Sequence, residues 1–456
     1  MTSKDTKNLI RTEKKYILPT YKRQGIVFVR GKGKYLWDNR GKKYLDFFSG
    51  LSVCNLGHCP DAPVAAAAEQ LKKLMHVSNI YYTLPQIELA EMLIRKSYGR
   101  GRVFLSNSGA EANECAIKLA RKWGNKSAGG QQAIKRGDAA GRGVRTKSGS
   151  RYEIITFEGS FHGRTLATLT ATGQKKFHRG FEPMPSGFKY ARFNDIESVK
   201  RQINNKTVAV FIEPIQGEGG VYPAEKKFLS ALRELCDVRG LLLIFDEIQC
   251  GMGRTGKLFA YQHYGVEPDV FTLAKSIANG LPLGVTVVKE KYADVLAPGD
   301  HGSTFGGNLV SCAAAIETIK LISDDALLRN VSETGKYFAG TLIKLKNKFP
   351  EIIKEVRGAG FMLGMELLDG PTDSGSLDEE IASAAPRNDT SPGISQQPGN
   401  KIVNECALAG LIINCTQGNV LRFLPPLITD RTDVDRAIKI LENILTKYNN
   451  YCIIKL

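Results

Sequence analysis

A lysine and an aspartate, each at the end of a predicted buried strand, are the residues of this chain best suited to chemistry. Asp246 follows the apolar run at 241–245, and Lys275 follows the apolar run at 270–274. Open α/β sheets bind their ligands at the carboxyl ends of the strands. A lysine there can form a Schiff base and an acid can hold a protonated pyridine nitrogen, so the pair predicts pyridoxal phosphate (PLP) chemistry. Each residue by itself also fits an ion pair or a solvated side chain.

The glycines between these two residues match nucleotide-binding patterns only in part. Gly251, Gly253 and Gly256 fit G-x-G-x-x-G, and a near match to a P-loop fails at Leu258, which leaves no hydroxyl for magnesium. A dinucleotide fingerprint would also open a helix directly after its strand. Here the segment at 246–250 intervenes, and its two carboxylates would repel a pyrophosphate. We therefore expect no nucleotide site.

A turn of small residues lies between a predicted short strand and a predicted helix. Ser108, Gly109 and Ala110 form this turn. The free amide groups and the dipole of a helix N-terminus attract anions, so a cofactor phosphate could bind here. An ordinary capped helix explains the same pattern.

Two loops that follow predicted strands carry further candidate ligand contacts. Phe161, His162 and Arg164 follow the strand at 153–157. The aromatic ring can stack on a planar ligand, and the guanidinium can hold a carboxylate through two hydrogen bonds. We assign His162 no proton-transfer role, because a histidine beside an aromatic residue can simply be packed. Glu218 lies on the second loop.

The order of the predicted elements indicates the fold class. Strands alternate with helices from 103 to 290, which predicts an α/β fold with a largely parallel, helix-covered sheet. One long helical pattern follows at 309–345. Two strands, in FMLGMEL and VLRFLPP, and a closing helix at 433–447 indicate a smaller C-terminal unit. The first 20 residues predict a flexible lead-in.

The composition is that of an ordinary globular protein. The chain has 456 residues, 42% hydrophobic and 24% charged, enough for two or three domains. No apolar run approaches the length of a membrane span, and the N-terminus resembles neither a signal nor a transit peptide, so we expect no membrane partner and a cytoplasmic location. The nine cysteines are dispersed without C-x-x-C pairs, which predicts reduced thiols and no metal.

The net charge of +17 is concentrated in two places, residues 1–43 with +10 and residues 125–151 with +6. A net positive charge of this size is compatible with a protein that binds nucleic acid. Neither segment interleaves aromatic residues as a stacking platform for bases would, so we favour solvated surface and expect no nucleic-acid partner. Residues 126–150 predict an exposed basic loop, and residues 369–400 predict a surface insertion.

Taken in order, six segments of the chain resemble the class-III aminotransferases. They are SGAEANE (108–114), FHGRT (161–165), EPIQGEGG (213–220), FDEIQCGMGRTG (245–256), AKSIANGLPLG (274–284) and GSTFGGN (302–308). The resemblance covers nearly the whole chain apart from residues 126–150 and 369–400. FHGRT together with EPIQGEGG looks most like the acetylornithine/succinylornithine branch, whereas ornithine aminotransferases usually carry Trp where this chain has His162.

The resemblance implies the PLP-dependent transferase fold type I. That is an α/β fold with a largely parallel sheet in a large domain and a smaller α+β domain built from the two chain ends. It places an N-terminal segment of the small domain at 1–70, the large PLP-binding domain at 71–315 and the C-terminal small domain at 316–456. It also implies a homodimer with shared active sites.

The family's cofactor contacts carry over to residues of this chain. Lys275 would bind PLP covalently and move the proton during catalysis, and Asp246 would pair with the pyridine nitrogen. Gln249 would bond the 3′ oxygen of the ring, and Phe161 would stack on it. The residues expected to hold the phosphate are Ser108, Gly109 and Ala110, together with Thr304 from the neighbouring subunit.

The same resemblance implies N-acetylornithine and glutamate as amino donors and 2-oxoglutarate as acceptor, in arginine biosynthesis. Arg164 would bind the distal carboxylate of either donor, and Arg422 the α-carboxylate of glutamate. When N-acetylornithine presents its terminal amine, Glu218 would pair with Arg422, because a buried unpaired cation is unfavourable. Related ω-aminotransferases acting on ornithine, succinylornithine or 4-aminobutyrate stay open, as does an aminomutase of the same fold.

Overall fold

The computed structural model describes residues 5–127, 150–368 and 398–453. Its strands are Phe28–Lys32 (β1), Tyr35–Asp38 (β2), Lys43–Asp46 (β3), Gly101–Ser106 (β4), Glu153–Phe157 (β5), Phe188–Ala191 (β6), Thr207–Ile212 (β7), Ile215–Gln216 (β8), Tyr222–Pro223 (β9), Leu242–Asp246 (β10), Val270–Leu273 (β11), Gly284–Lys289 (β12), Ile353–Ala359 (β13), Met362–Leu367 (β14), Leu411–Ile412 (β15), Asn414–Thr416 (β16) and Val420–Phe423 (β17). Its helices are Thr6–Tyr16 (α1), Ser49–Ser52 (α2), Asp61–Lys73 (α3), Leu84–Lys96 (α4), Gly109–Ser127 (α5), Leu166–Ala171 (α6), Ile196–Gln202 (α7), Lys226–Arg239 (α8), Leu309–Ile322 (α9), Asp325–Lys348 (α10), Pro398–Leu408 (α11) and Arg431–Ile453 (α12).

A seven-stranded sheet lies at the centre, in the order β4-β12-β11-β10-β7-β5-β6. The strands from β11 to β6 run parallel, and β12 pairs antiparallel with both of its neighbours. The apolar runs of β7 and β10 are buried at every position. Burial on both faces is typical of parallel sheets that helices cover on each side. The predicted α/β class with a largely parallel sheet is confirmed.

Successive residues of β10 pack into two different cores. Leu243 and Phe245 belong to the core that includes side chains of α4, α7, α8 and α9, whereas Leu242 and Ile244 belong to the core that includes α5 and α6. The alternation follows from the two-residue period of a strand. Each of these fully buried side chains contributes roughly 1.5–3 kcal/mol. The end of β10, where Asp246 lies, is therefore held between two packed layers.

A second, antiparallel sheet has the order β13-β14-β17-β16 and shares a core with α10, α11 and α12. Leu45 and Phe47 pack into the same core from the N-terminal part of the chain. Their strand β3 belongs to a small sheet, β1-β2-β3-β15, that also contains a C-terminal strand. The N-terminal and C-terminal parts of the described chain thus form this small sheet together. The domain boundaries at 70 and 315 stay a prediction.

Arg254 is fully buried and joins three parts of the chain. Its guanidinium donates to the side chains of Ser52 and Asn55 and to the carbonyl oxygens of Phe361 and Pro425. All four partners are neutral, and burial lowers the pKa of Arg254 to about 9. The loop that follows β10 is thereby fixed both to the N-terminal segment and to the second sheet.

Two expectations drawn from the sequence are wrong. The predicted flexible lead-in contains α1, which is capped by Asp5, whose carboxylate accepts the amide of Lys7 at 3.2 Å. The helical pattern at 309–345 is divided into α9 and α10. It breaks because Asp324 caps the second helix by accepting the amide of Leu327 at 3.0 Å.

Several other sequence predictions concern segments that the structure describes only in part. Nearly all of the basic loop at 126–150 and of the insertion at 369–400 lies outside the described residues.

Among the described helices, none combines the length and the apolar character needed to cross a membrane. Eight cysteines, all of the chain's nine except Cys452, carry free thiols.

Candidate active site

Lys275 and Asp246 line the same cavity of about 410 Å³ at the carboxyl ends of β10 and β11. The backbone of Lys275 has φ +41°, a left-handed conformation that is rare outside glycine and tends to occur at functional sites. Desolvation by the surrounding protein lowers the pKa of Lys275, although the charges of Asp246 and Glu213 oppose the shift. A lysine with a lowered pKa is more often a neutral amine and therefore a nucleophile.

The carboxylate of Asp246 is nearly buried and is held by three groups. Oδ2 accepts a hydrogen bond from Nδ2 of Asn113 at 2.8 Å and lies 2.8 Å from Nδ1 of His162, while Oδ1 accepts the amide of Ile248 at 3.1 Å. The hydroxyl of Thr272 donates to Oδ1 of Asn113 at 2.7 Å, which fixes the orientation of that amide. A carboxylate offers about four acceptor positions, so one is left for a ligand in the cavity.

Asn113 is not among the predicted site residues, and His162 was expected to have no role in proton transfer. The imidazole of His162 stacks on Phe211 with ring centroids 4.1 Å apart, and its Nε2 is buried without a partner among the described residues. A ring that donates from Nδ1 to Asp246 satisfies this geometry. Both residues therefore hold Asp246, and His162 also lines the cavity. Each lies in a segment, SGAEANE or FHGRT, that the resemblance had already marked.

Glu213 is a buried acid that was also not predicted as a site residue. Its carboxylate accepts the amide of Phe161 at 3.0 Å and the amide of Gly217 at 3.2 Å. Burial raises the pKa of Glu213, although the amides of Phe161 and Gly217 that donate to its carboxylate oppose the shift. One side chain thus fixes two loops, the one that carries Phe161 and the one that carries Glu218.

The start of α5 forms one wall of the cavity. Ser108, Gly109 and Ala110 line it, and the first amide groups of an α-helix have no acceptor within the helix. Ser108 caps the helix by accepting the amide of Glu111 at 3.2 Å. A Cβ on Gly109 would lie 2.8 Å from Cδ1 of Ile248, so glycine leaves room for that side chain. This wall is able to hold an anion such as a phosphate.

Thr304 is exposed and is not among the residues that line this cavity. The turn that carries it is tied to the start of α5. Ser303 donates to Oε1 of Glu111 at 3.0 Å and accepts a hydrogen bond from Nδ2 of Asn107 at 2.9 Å. Thr304 is thus held on the outside of the subunit, on a turn that is anchored beside the anion-binding wall.

Arg422 is buried and contacts two residues of the cavity wall. Its Nη2 lies 3.1 Å from Oε2 of Glu218, and its Nη1 donates to Oε1 of Gln249 at 3.2 Å. Its Nε donates to Oδ1 of Asn414 at 3.1 Å. Because Oε1 of Gln249 faces Arg422, the Nε2 amide group of Gln249 is left to donate to a ligand. The expected exchange of Glu218 for a substrate carboxylate stays a prediction.

Arg164 differs from Arg422 in its surroundings. Its guanidinium lies 4.2 Å from the ring centroid of Phe177 and 5.4 Å from that of Phe161. The side chain is exposed and lines the cavity, and no acidic residue of the described part forms an ion pair with it. Its parallel N–H groups are therefore available to a carboxylate of a ligand. The site has one open arginine and one that is buried and paired.

The lining of the cavity fits PLP in four respects. A desolvated lysine can react with its aldehyde, and a carboxylate with a vacant acceptor position can bind its pyridine nitrogen. A helix N-terminus can bind its phosphate, and Phe161 can pack against its ring. The volume of about 410 Å³ also falls in the range of roughly 300–1,000 Å³ that small-molecule sites occupy.

Comparison with known sequences gives matches along nearly the whole chain. The family model "Aminotransferase class-III" matches residues 17–445. The acetylornithine aminotransferase of Methanocaldococcus jannaschii is 46% identical over 440 residues, which cover 96% of this chain and 98% of that protein. The acetylornithine aminotransferase of Caldanaerobacter subterraneus subsp. tengcongensis is 44% identical over 439 residues, which cover 96% of this chain and 99% of that protein.

Solved structures of two aminotransferases superpose on nearly the whole chain. The N-acetylornithine aminotransferase of Stenotrophomonas maltophilia superposes with a TM-score of 0.74 at 34% identity, covering 97% of this chain and 100% of that chain. The ornithine aminotransferase of Toxoplasma gondii superposes with a TM-score of 0.83 at 29% identity, covering 98% of this chain and 96% of that chain. Another structure of the Toxoplasma enzyme contains PLP at partial occupancy in its active site.

Proposed function

The chain belongs to the class-III aminotransferases and is a PLP-dependent transaminase of fold type I, and on that premise we propose that it transfers the terminal amino group of N-acetylornithine to 2-oxoglutarate. Acetylornithine aminotransferases that are 39–46% identical over nearly the full chain support this choice. The reaction would serve arginine biosynthesis. The observation that carries the proposal is the contrast between the open Arg164 and the buried Arg422, which Glu218 masks.

The residues around the cofactor have separate tasks in this proposal. PLP, when bound, supplies an electron sink for the carbanion that forms at the amine-bearing carbon. Lys275 attaches the cofactor and moves the proton, and its lowered pKa keeps the amine ready to accept one. Asp246 keeps the pyridine nitrogen protonated, and Gln249 donates to the ring oxygen. Phe161 packs on the ring, and the phosphate is held by Ser108, Gly109 and Ala110.

One pocket must accept two amino donors of different shape. Glutamate reacts at its α-amine and has a carboxylate at each end, whereas N-acetylornithine reacts at its terminal amine and keeps its carboxylate far from the ring. Arg164 binds the distal carboxylate in both cases. The α-carboxylate of glutamate displaces Glu218 from Arg422, and Glu218 stays on Arg422 when N-acetylornithine reacts. The contact of 3.1 Å corresponds to the second arrangement.

We also propose a homodimer, because a large apolar surface lies next to Thr304. Asn79 donates to the carbonyl oxygens of Ser303 and Gly306, each at 2.9 Å, and so ties the segment before α4 to the turn of Thr304. The exposed apolar side chains around this contact are Met75, Ile80, Tyr81, Tyr82, Leu84 and Phe305. Surfaces of this kind usually mark protein interfaces. In the dimer, Thr304 of one subunit binds the phosphate of the other.

The test is a set of half-reactions without a keto acid. The PLP-loaded protein is mixed separately with N-acetylornithine, succinylornithine, ornithine, 4-aminobutyrate or glutamate, and the visible absorbance of bound PLP is followed. Fast loss with N-acetylornithine and glutamate, and slow loss with ornithine, is the expected result. Fast loss with ornithine, succinylornithine or 4-aminobutyrate, and slow loss with N-acetylornithine, would move the protein to another branch that uses the same catalytic residues.

Two alternatives receive less support. The Toxoplasma ornithine aminotransferase has a similar fold, but at 29% identity it is less similar in sequence than the acetylornithine aminotransferases. Nucleic-acid binding through the basic segments at 1–43 and 125–151 is the second alternative. Most of the segment at 125–151 lies outside the described residues, and a salt-dependent gel shift tests this alternative. The cytoplasmic location stays a prediction.

A further inference from the structure

Arg357 lies in the same cross-strand row of the second sheet as Arg422. Arg357 of β13 pairs with Gly364 of β14, Gly364 pairs with Arg422 of β17, and Arg422 pairs with Asn414 of β16. Directly paired residues of antiparallel strands point to the same face of the sheet. The two arginines are therefore presented on one face, with only a glycine between them.

The loop that carries Glu218 lies across this row and is held at both ends. At one end, the carboxylate of Glu218 meets Arg422 at 3.1 Å, and the hydroxyl of Thr416 donates to the carbonyl oxygen of Glu218 at 2.5 Å. At the other end, Nε of Arg357 donates to the carbonyl oxygen of Gly220 at 2.9 Å. The backbone from Glu218 to Gly220 is thus fixed to the sheet through two carbonyl oxygens.

Gly364 allows the loop to lie directly on the sheet. A Cβ at this position would come within 3.0 Å of the Cβ of Val221 and within 3.3 Å of Val420. Val221 is fully buried and has φ +58°, a conformation that a β-branched residue adopts only when its surroundings enforce it. The shape of the loop therefore depends on the row of the sheet beneath it.

The charge of Arg357 is balanced without help from the loop. Its Nη1 donates to Glu366 at 2.6 Å and to Glu355 at 2.8 Å, and its guanidinium lies 3.8 Å from the ring centroid of Tyr222. These contacts fix the plane of the guanidinium and direct Nε to Gly220. Nη2 is buried without a partner among the described residues, so one nitrogen of the Arg357 guanidinium makes no ion pair. The contribution of Arg357 therefore includes the position of its Nε at Gly220 as well as its positive charge.

We propose that Arg357 is a positioning residue that sets the choice between the two amino donors. It holds the backbone of the loop, so that only the side chain of Glu218 moves when glutamate displaces it from Arg422. The proposal rests on the proposed function. In a loosened loop, Glu218 would leave Arg422 unpaired while N-acetylornithine is bound, and an unpaired buried arginine is strongly unfavourable. Glutamate is not affected in this way, because its own carboxylate replaces that of Glu218.

The variant Arg357→Lys tests the proposal, since it keeps a positive charge beside Glu366 and removes the Nε donor to Gly220. We expect kcat/KM for N-acetylornithine to fall about tenfold, mainly through KM, while the value for glutamate changes less than about twofold. The matched control is Lys354→Gln, which removes another ion-pair partner of Glu366 without touching the loop. The deciding quantity is the ratio of kcat/KM for N-acetylornithine to kcat/KM for glutamate. If this ratio is unchanged in Arg357→Lys, or if it falls equally in the control, the proposal is overturned.

A second variant reaches the loop without changing any charge. Gly364→Ala pushes against Val221, so we expect the same loss of preference for N-acetylornithine, and this variant decides the question if Arg357→Lys does not fold. Equilibrium binding gives a readout without turnover. Glutarate, a dicarboxylate without an amine, should bind the PLP-loaded Arg357→Lys enzyme as tightly as the wild type or more tightly. Weaker binding would contradict the proposal.

Failure of the proposed function can be told apart from failure of this inference. If the wild type reacts with a different ω-amine and not with N-acetylornithine, the proposed substrate is wrong. The ratio is then measured with that ω-amine against glutamate. Every ω-amine donor needs Glu218 to mask Arg422, because it has no carboxylate next to the reacting amine. We therefore expect the ratio of kcat/KM for the ω-amine to kcat/KM for glutamate to fall in Arg357→Lys by the same factor.

Discussion

Nδ1 of His162 lies 2.8 Å from Oδ2 of Asp246, and both side chains are buried. Asn113 donates to the same oxygen at 2.8 Å. Hydrogen bonds to an ionised carboxylate are stronger than those between neutral groups. Two of them on one oxygen fix the plane of the carboxylate and leave its remaining acceptor position directed to the cavity. The orientation of the carboxylate that faces the cavity therefore depends on His162 and Asn113.

Replacing His162 by Phe should weaken PLP binding. The loss of a hydrogen bond to a charged group is worth about 1.5–3 kcal/mol, so we expect the dissociation constant for PLP to rise roughly ten- to hundredfold. Spectroscopic titration of the apoenzyme with PLP measures it. His162→Gln keeps a donor and should fall between the wild type and the Phe variant. Wild-type affinity in His162→Phe would show that the imidazole does not orient Asp246.

Replacing Lys275 by Ala should remove both the covalent attachment of PLP and the group that moves the proton. General acid–base catalysis alone contributes about 10²–10⁴-fold, so turnover should fall by at least that factor. The visible absorbance of the covalently attached cofactor should disappear as well. The control is Lys257→Ala, because Lys257 is exposed on a neighbouring loop. Full activity of Lys275→Ala would refute the assignment of this lysine.

Replacing Glu218 by Gln should act on the two amino donors in opposite directions. Without the carboxylate, Arg422 is unpaired when N-acetylornithine binds, so KM for that substrate should rise about tenfold. Glutamate no longer has to displace an anion, so its KM should stay the same or fall. Single-turnover measurements of the two half-reactions check this. Equal changes for both donors would exclude a masking role for Glu218.

The buried acid Glu247 should make stability depend on pH. Burial raises its pKa from 4.5 to about 8, although the amides of Ala260 and Tyr261 donate to its carboxylate. Between these values the unfolded chain loses a proton that the folded protein keeps, so stability falls as the pH rises through this window. Glu247→Gln removes the contribution. The free energy of unfolding of the wild type relative to the variant should fall by on the order of a few kcal/mol between about pH 5 and about pH 8. Urea denaturation of the holoenzyme at both ends of the window measures it, and parallel pH curves would contradict the assignment.

Replacing Tyr82 by Asp should dissociate the proposed dimer. Tyr82 is 97% exposed in the single subunit, and an interface would bury it. The added charge would then be desolvated, so the variant should elute as a monomer and release PLP faster, because Thr304 of the second subunit is lost. Val238 is 75% exposed and lies on α8, away from this surface, so Val238→Asp is the matched control. A Tyr82→Asp variant that stays dimeric would place the interface elsewhere.

Patterns that are local along the chain were the most predictable. The apolar runs before Asp246 and Lys275 indicate buried strands, and the structure has β10 and β11 there. The break between α9 and α10 was not predicted, because the helical pattern continues on both sides of Asp324 and only the cap stops it. The roles of the predicted site residues stay predictions. The structure brings all of them except Thr304 and Arg422 to the cavity wall, and Arg422 contacts that wall.

The sequence by itself determined the α/β class, the strand ends that carry the reactive lysine and the aspartate, and the resemblance to one family. These follow from hydrophobic periodicity and from short motifs, which are properties of neighbouring residues. Only the tertiary structure decided which side chains hold Asp246 and which residues share a row with Arg422. His162 and Asp246 are 84 positions apart, and Arg357 and Gly220 are 137 positions apart. Contacts of this kind depend on strand register and on the packing of loops against the second sheet, and no local pattern specifies either.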